Sequence, residues 1–263
     1  MSPKSSFDDL TTRFGSGFVM VTVGLGAVWM GGYVFLALIT VIVGVMVWEL
    51  ARMCAPEDPS GAKLLAGIAA GAVACASIVP LGFALPVLLV PALISLGRFE
   101  DSRLVFALFS ALIGIAGLGL WVLRDDFGFI WMLWLALLVV ATDVLGYFAG
   151  RLIGGPKIWP RVSPKKTWSG TVAGWIGAAV VGAVFMLNTI AGSELIGISV
   201  ALSMASQIGD VSVSAVKRKA GVKDASNLIP GHGGLLDRFD GMLGASVLLL
   251  LVEQIIDFPP LPL

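Results

Sequence analysis

Charge is what this chain has least of. Only 13% of its 263 residues are charged, 57% are hydrophobic, and the mean hydropathy is +0.96. A soluble domain carries about 25% charged residues, so a water-soluble fold of this length would have too little polar surface to cover itself. Cysteine is also scarce. Cys54 and Cys75 lie in or near apolar segments at no ligand spacing, which excludes a disulfide framework and a cysteine-bound metal. There is no internal repeat and no low-complexity linker. The opening stretch MSPKSSFDDLTTRFGSG carries acids and has no small-residue cleavage site before a short apolar core. It reads as a retained cytoplasmic segment over 1–16, not a signal peptide. Net charge is zero, so bulk charge points to no class of partner.

Apolar blocks of bilayer length fill the chain instead. A helical span needs about 20 mostly apolar residues. Such blocks run over 17–31, 33–49, 62–79, 81–97, 104–123, 128–150, 171–190, 194–215 and 240–257. They predict an all-α fold: a polytopic transmembrane helix bundle of about nine spans, with 1–263 as a single integral membrane domain. The first two blocks are separated only by Gly31 and Gly32, and read either as one long tilted helix or as a hairpin. The charges favour the hairpin. With nine spans and a cytoplasmic N-terminus, only Arg124 of the 17 Lys and Arg lies outside, whereas merging the two blocks adds Lys4 and Arg13 to it. Ten of the 17 Lys and Arg cluster in two loops, 151–170 and 217–240. Two spans separate these loops, so both face the same side.

The chemistry lies between Gln207 and Gly241. Asp210 sits late in an apolar block, where a carboxylate is costly in lipid and should face the bundle interior or a cavity. Ser214 and Lys217 follow on the same helical face. Pro230-Gly231-His232-Gly233-Gly234 supplies backbone that can approach a ligand closely. Asp237 and Asp240 then share one face of a starting helix, with Arg238 beside them. Carboxylates from different helices suit Mg²⁺, which takes oxygen ligands plus substrate phosphates. Lys, Arg and glycine backbone suit phosphate oxygens. These are the parts of a phosphoryl- or nucleotidyl-transfer site.

The run Ser214-Ala-Val-Lys217-Arg218, then Lys223-Asp224, then His232-Gly233-Gly234-Leu-Leu-Asp237-Arg238-Phe-Asp240 resembles the signature of the phosphatidate cytidylyltransferases, also called CDP-diacylglycerol synthases. Trp48-Glu49-Leu50-Ala51-Arg52-Met53, Asp143 with Gly146-Tyr147 and Gly150-Arg151, and Ser163-Pro164-Lys165-Lys166-Thr167 extend the resemblance over most of the chain. The chain departs from the family pattern at Ser169, where an acid usually stands, and at Val144 and Leu145, where small residues are common.

The resemblance implies transfer of the cytidylyl group of CTP to phosphatidate in a bacterial plasma membrane, with the site facing the cytoplasm. Asp210, Ser214, Lys217, Arg218 and Asp237 would be catalytic. Lys165, Lys166, Lys223, Asp224, His232, Gly233, Gly234 and Arg238 would bind substrate. Asp210, Asp237 and Asp240 would hold Mg²⁺, with room for a second cation, and a homodimer is implied.

Other readings stand beside this one. Lys217–Lys219 also read as a topology signal against anionic lipid, and Lys165 and Lys166 as interfacial anchors. Asp237 and Asp240 also read as ordinary helix N-terminal acids, His232 as a turn residue, and Asp143 as a partner of Arg151. The tryptophans read as interface anchors. A CTP-using enzyme with another lipid acceptor, such as a polyprenol kinase, shares this phosphate chemistry. A transporter would use Asp143 and Asp210 as an ion path, but it should also show repeat symmetry.

Overall fold

The computed structural model describes residues 3–99, 102–256 and 258–260. The first two residues of the N-terminal segment, and residue 257 at the end of the last apolar block, lie outside the described residues. The helices are α1 (Pro3–Met30), α2 (Gly32–Cys54), α3 (Pro59–Ala76), α4 (Leu81–Leu88), α5 (Val90–Leu96), α6 (Arg103–Asp125), α7 (Phe129–Leu152), α8 (Trp168–Asn188), α9 (Glu194–Lys219) and α10 (Leu236–Ile256). The strands β1 (Lys157–Trp159) and β2 (Ser163–Thr167) form one antiparallel hairpin between α7 and α8. Among the described residues, eight helices are long and apolar enough to span a bilayer. The chain is a multi-pass, all-α membrane protein. It divides into two compact units, Met1–Trp121 with Lys219–Phe239, and Val122–Arg218 with Asp240–Leu263.

In the first unit, the contacts of the 226–236 loop decide between one helix and a hairpin. Ser16 on α1 meets the Pro230 carbonyl at 2.9 Å and His232 Nδ1 at 2.8 Å. Glu49 on α2 accepts from the backbone N–H groups of Leu235 and Leu236 at 2.9 and 2.7 Å. In one straight helix, residues 16 and 49 would stand about 50 Å apart at ~1.5 Å per residue. His232 and Leu235 can be separated by at most about 11 Å of chain. The chain therefore turns back between α1 and α2. It does so at Gly31 and Gly32, with φ of 64° and 49°, a conformation that costs glycine little.

The 81–97 block is not one helix. Pro86 lies inside α4 and Pro91 in the first turn of α5, with the break at Leu89. Pro91 has no N–H to give to the turn before it. The pair still crosses the unit, because Arg98 after α5 bonds Asp58 at the start of α3 at 2.7 Å. Chain that leaves along α3 thus returns to its starting level through α4 and α5. Eight long helices and this short, broken crossing account for the nine apolar blocks.

Asp58 also caps α3, accepting from the Gly61 N–H at 2.8 Å. The Arg98 guanidinium, and then that backbone N–H, hold its carboxyl below the ordinary carboxylate range. A carboxyl depressed in the folded state contributes stability that is complete above its unfolded value, about 3.9. That contribution is lost as pH falls through the folded value. Asp58→Asn should lower the Tm modestly at neutral pH, since the pair is exposed and screened. In thermal scans in detergent, the gap from wild type should close as the pH is taken below about 4.

In the second unit, polar side chains tie the apolar helices together, as expected where lipid offers no hydrogen bonds. Thr142 on α7 pairs with Ser203 on α9 at 2.8 Å. Trp175 on α8 donates to Gln207 on α9 at 2.9 Å. Helices α7 and α8 come close at Gly146 and Gly170, where a Cβ on Gly170 would strike the Gly146 carbonyl. Trp134 departs from the expected interface role. It is fully buried, donates to Ser199 at 3.1 Å, and packs edge-on against Trp131 and Phe258. Trp159, in the hairpin, and Trp168, just after it, are exposed as an interface anchor should be.

Candidate active site

Strand β2 and helix α9 bring Lys166 and Asp210 together, Nζ to Oδ2 at 2.5 Å. Ser214, one turn along α9, donates to the other oxygen of Asp210 at 3.3 Å. Lys217, on the same helical face, is buried, whereas Arg218 is exposed. The face that periodicity assigned to Asp210, Ser214 and Lys217 therefore turns inward, and Arg218 turns out.

Asp240 joins this group through glycine packing. A Cβ on Gly209 would strike the backbone carbonyl of Asp240 and the backbone of Gly244, and one on Gly244 would strike the Ala205 carbonyl. Small residues, Ala205 and Gly209 on α9 and Gly244 on α10, let the two backbones touch there. The Asp240 side chain consequently lies within electrostatic range of Asp210, Asp143 and Lys217. Its Oδ1 also accepts from the Gly241 N–H at 2.8 Å.

Asp143 belongs to the same surroundings. The structure gives Arg151 a different partner, the Tyr147 hydroxyl at 2.8 Å. Asp143 and Asp210 line a cavity of about 590 Å³ together with Arg151, Lys157, Lys165 and Lys166, a volume within the usual range for small-molecule sites. Four cations around two carboxylates make a receptor for a polyanion. The hairpin that carries Lys165 and Lys166 is fixed at its end by Thr167, which caps α8 at the Gly170 N–H. Ser169 donates to the Gly154 carbonyl at 2.5 Å and pairs with Thr167 at 3.0 Å. A hydroxyl can donate to that carbonyl, and a carboxylate could not, which gives a physical reason for serine at this position.

The other signature residues lie in the first unit. Gly231 and Gly233 have φ of 74° and 84°, and close a turn bridged between Ile229 and Gly233. His232 is half-buried and held by Ser16. Lys223, Asp224 and Arg238 are exposed. Asp237 is buried, and its Oδ2 accepts from the backbone N–H groups of Ala225 and Gly234 at 2.8 and 2.9 Å. This carboxylate therefore fastens its own loop, whatever else it holds. Sequence reasoning passed over Glu49, which accepts from Ser226, Leu235 and Leu236. The only available signal was its place in the Trp48–Met53 segment.

The donors fit a hard cation. Asp143, Asp210 and Asp240 offer oxygen, with no cysteine or histidine among them, which suits Mg²⁺ over softer metals. Among the described residues, no three acidic, histidine or cysteine side chains form a ready-made cage. Mg²⁺ binds by one or two carboxylates completed by substrate phosphates, so a full cage is not required.

A model of the cytidylyltransferase family matches residues 11–256. A phosphatidate cytidylyltransferase of Brucella suis is 36% identical over 97% of both chains. One from Staphylococcus saprophyticus is 40% identical over 64% of this chain and 66% of its own. One from Bacillus subtilis is 39% identical over 45% of each. The chain belongs to the cytidylyltransferase family.

Proposed function

We propose that this protein transfers the cytidylyl group of CTP to phosphatidate, giving CDP-diacylglycerol and pyrophosphate, at the cytoplasmic face of a plasma membrane. The observation that carries the reading is the Lys166–Asp210 pair at a cavity rimmed by Arg151, Lys157 and Lys165. The orientation rests on the positive-inside count, in which Arg124 alone falls on the opposite side.

In the reaction, an oxygen of the lipid phosphate forms a bond to the α-phosphorus of CTP. The bond from that phosphorus to the bridging oxygen breaks, and pyrophosphate leaves with the electron pair. The attacking phosphate is already anionic near neutral pH, so no strong general base is required. The obstacle is repulsion between two polyanions. Lys165 and Lys166, with Arg151 and Lys157, neutralise and orient phosphate oxygens. Lys217, buried on the inward face of α9, adds a cation fixed by the fold. Ser214 holds Asp210 in place. Mg²⁺ would be held by Asp210 and Asp240, and the family resemblance gives Asp237 a catalytic role. When bound, it neutralises charge on the phosphoryl oxygens being transferred.

The acceptor is tested with purified protein in nanodiscs, Mg²⁺ and CTP, offering phosphatidate, diacylglycerol or polyprenol in turn. Pyrophosphate release should require phosphatidate. CDP release with polyprenol would replace this reading by a lipid kinase. A folded protein that turns over no CTP with any of these lipids would favour the transporter.

A further inference from the structure

Glu49 is fully buried near the end of α2, and among the described contacts its carboxylate meets no basic side chain. Oε1 accepts from the Ser226 hydroxyl at 2.6 Å and the Leu235 N–H at 2.9 Å, and Oε2 accepts from the Leu236 N–H at 2.7 Å. Leu235 and Leu236 are the residues at which α10 begins. The first N–H groups of a helix have no partner within it, and they favour negative charge. Here a carboxylate 186 residues away in sequence satisfies two of them. Asp237, in the turn that follows, ties back to Ala225 and Gly234. Two carboxylates thus staple one loop, Glu49 from outside it and Asp237 from within.

Gly234 fits between them. Its Cβ, if present, would lie 2.7 Å from Glu49 Oε1 and 3.0 Å from the Ala225 Cβ. The second glycine of the His-Gly-Gly run is therefore explained by the approach of Glu49, and not by a left-handed backbone.

We propose that Glu49 is a positioning residue for the reaction: its carboxylate sets the first turn of α10, and with it the direction of Asp237. This rests on the cytidylyl-transfer reading. A glutamine cannot replace it. Turned one way, the amide NH₂ faces the Leu236 N–H; turned the other, it faces the Leu235 N–H. At least one backbone donor is lost in either orientation. An aspartate keeps the charge but falls one methylene short.

The test compares wild type with Glu49→Gln, Glu49→Asp and Ser226→Ala, each purified in nanodiscs and checked for monodispersity. Two readouts are taken: steady-state turnover of CTP with phosphatidate, and amide hydrogen exchange over 225–240. Glu49→Gln should lower kcat at least about tenfold, since small misplacements of reacting groups cost up to about a hundredfold. The KM for CTP should change less than about threefold, because CTP-binding groups elsewhere are untouched. Exchange at Leu235 and Leu236 should quicken at least about tenfold, the scale of a lost charge-assisted bond. Glu49→Asp should recover part of kcat. Ser226→Ala, which keeps the carboxylate, should show a smaller loss and decides the matter if Glu49→Gln does not fold. Faster exchange with unchanged kcat would make Glu49 merely structural and overturn the proposal, as would unchanged exchange. If wild type itself does not turn over, the functional reading fails, and the exchange data alone then support or sink the staple.

Discussion

Asp210→Asn should leave a folded protein whose kcat is lower by about three orders of magnitude, the scale seen when a preorganised charge is removed from a transfer site. The substitution removes the charge opposite Lys166 Nζ and weakens the acceptor for Ser214. It leaves Lys166 uncompensated beside the cavity, and it halves the carboxylate pair formed with Asp240. Asparagine has nearly the same shape, so packing is kept and the loss reports on charge. Turnover of CTP with phosphatidate, measured on protein that elutes as wild type, checks this. A loss of less than about tenfold would remove Asp210 from the centre of the mechanism.

Gly209→Val should damage both stability and catalysis. The new side chain meets the Asp240 carbonyl and the backbone of Gly244, neither of which can move without moving α10. Overpacking of this kind costs about 1–3 kcal/mol. The helices must part at the one place where Asp210 and Asp240 share surroundings, and a shift of about 1 Å there costs up to about a hundredfold in rate. Gly197 on the same helix has nothing within 4 Å of a Cβ, so Gly197→Val is the matched control and should behave as wild type. Thermal unfolding and kcat on the two variants separate close approach from a general effect of losing a helical glycine. Equal behaviour of the two would mean that the α9–α10 contact positions nothing.

The spans were readable because lipid imposes a coarse rule on composition, and the hairpin of α1 and α2 was readable because charge marks the sides. The broken α4–α5 crossing was not, although Pro86 and Pro91 stood inside the block, since an apolar run scores the same whether continuous or interrupted. Helical periodicity placed Asp210, Ser214 and Lys217 on one face, which is a local matter. It could not pair Asp210 with Lys166, because that contact joins a helix to a hairpin 44 residues earlier. Glu49 was illegible for a different reason. Two of its three partners are backbone N–H groups, which leave no mark on the residue types at 235 and 236. Gly209 and Gly244 were equally silent, since a glycine in a helix signals close approach only once the neighbouring backbone is known. Trp134 shows the reverse error: a residue type that favours interfaces lies in the core, where Ser199 satisfies its N–H and Trp131 and Phe258 pack against its ring.

The central claim is that the group moved is the cytidylyl group, and that it ends on the lipid. Purified protein in nanodiscs containing phosphatidate would be given two preparations of CTP, one labelled at the α-phosphorus and one at the γ-phosphorus, and the lipid fraction counted. The account requires the α-label in the lipid, in step with release of the γ-label as pyrophosphate, and both absent in Asp210→Asn. The γ-label in the lipid, with the α-label left in CDP, would contradict it.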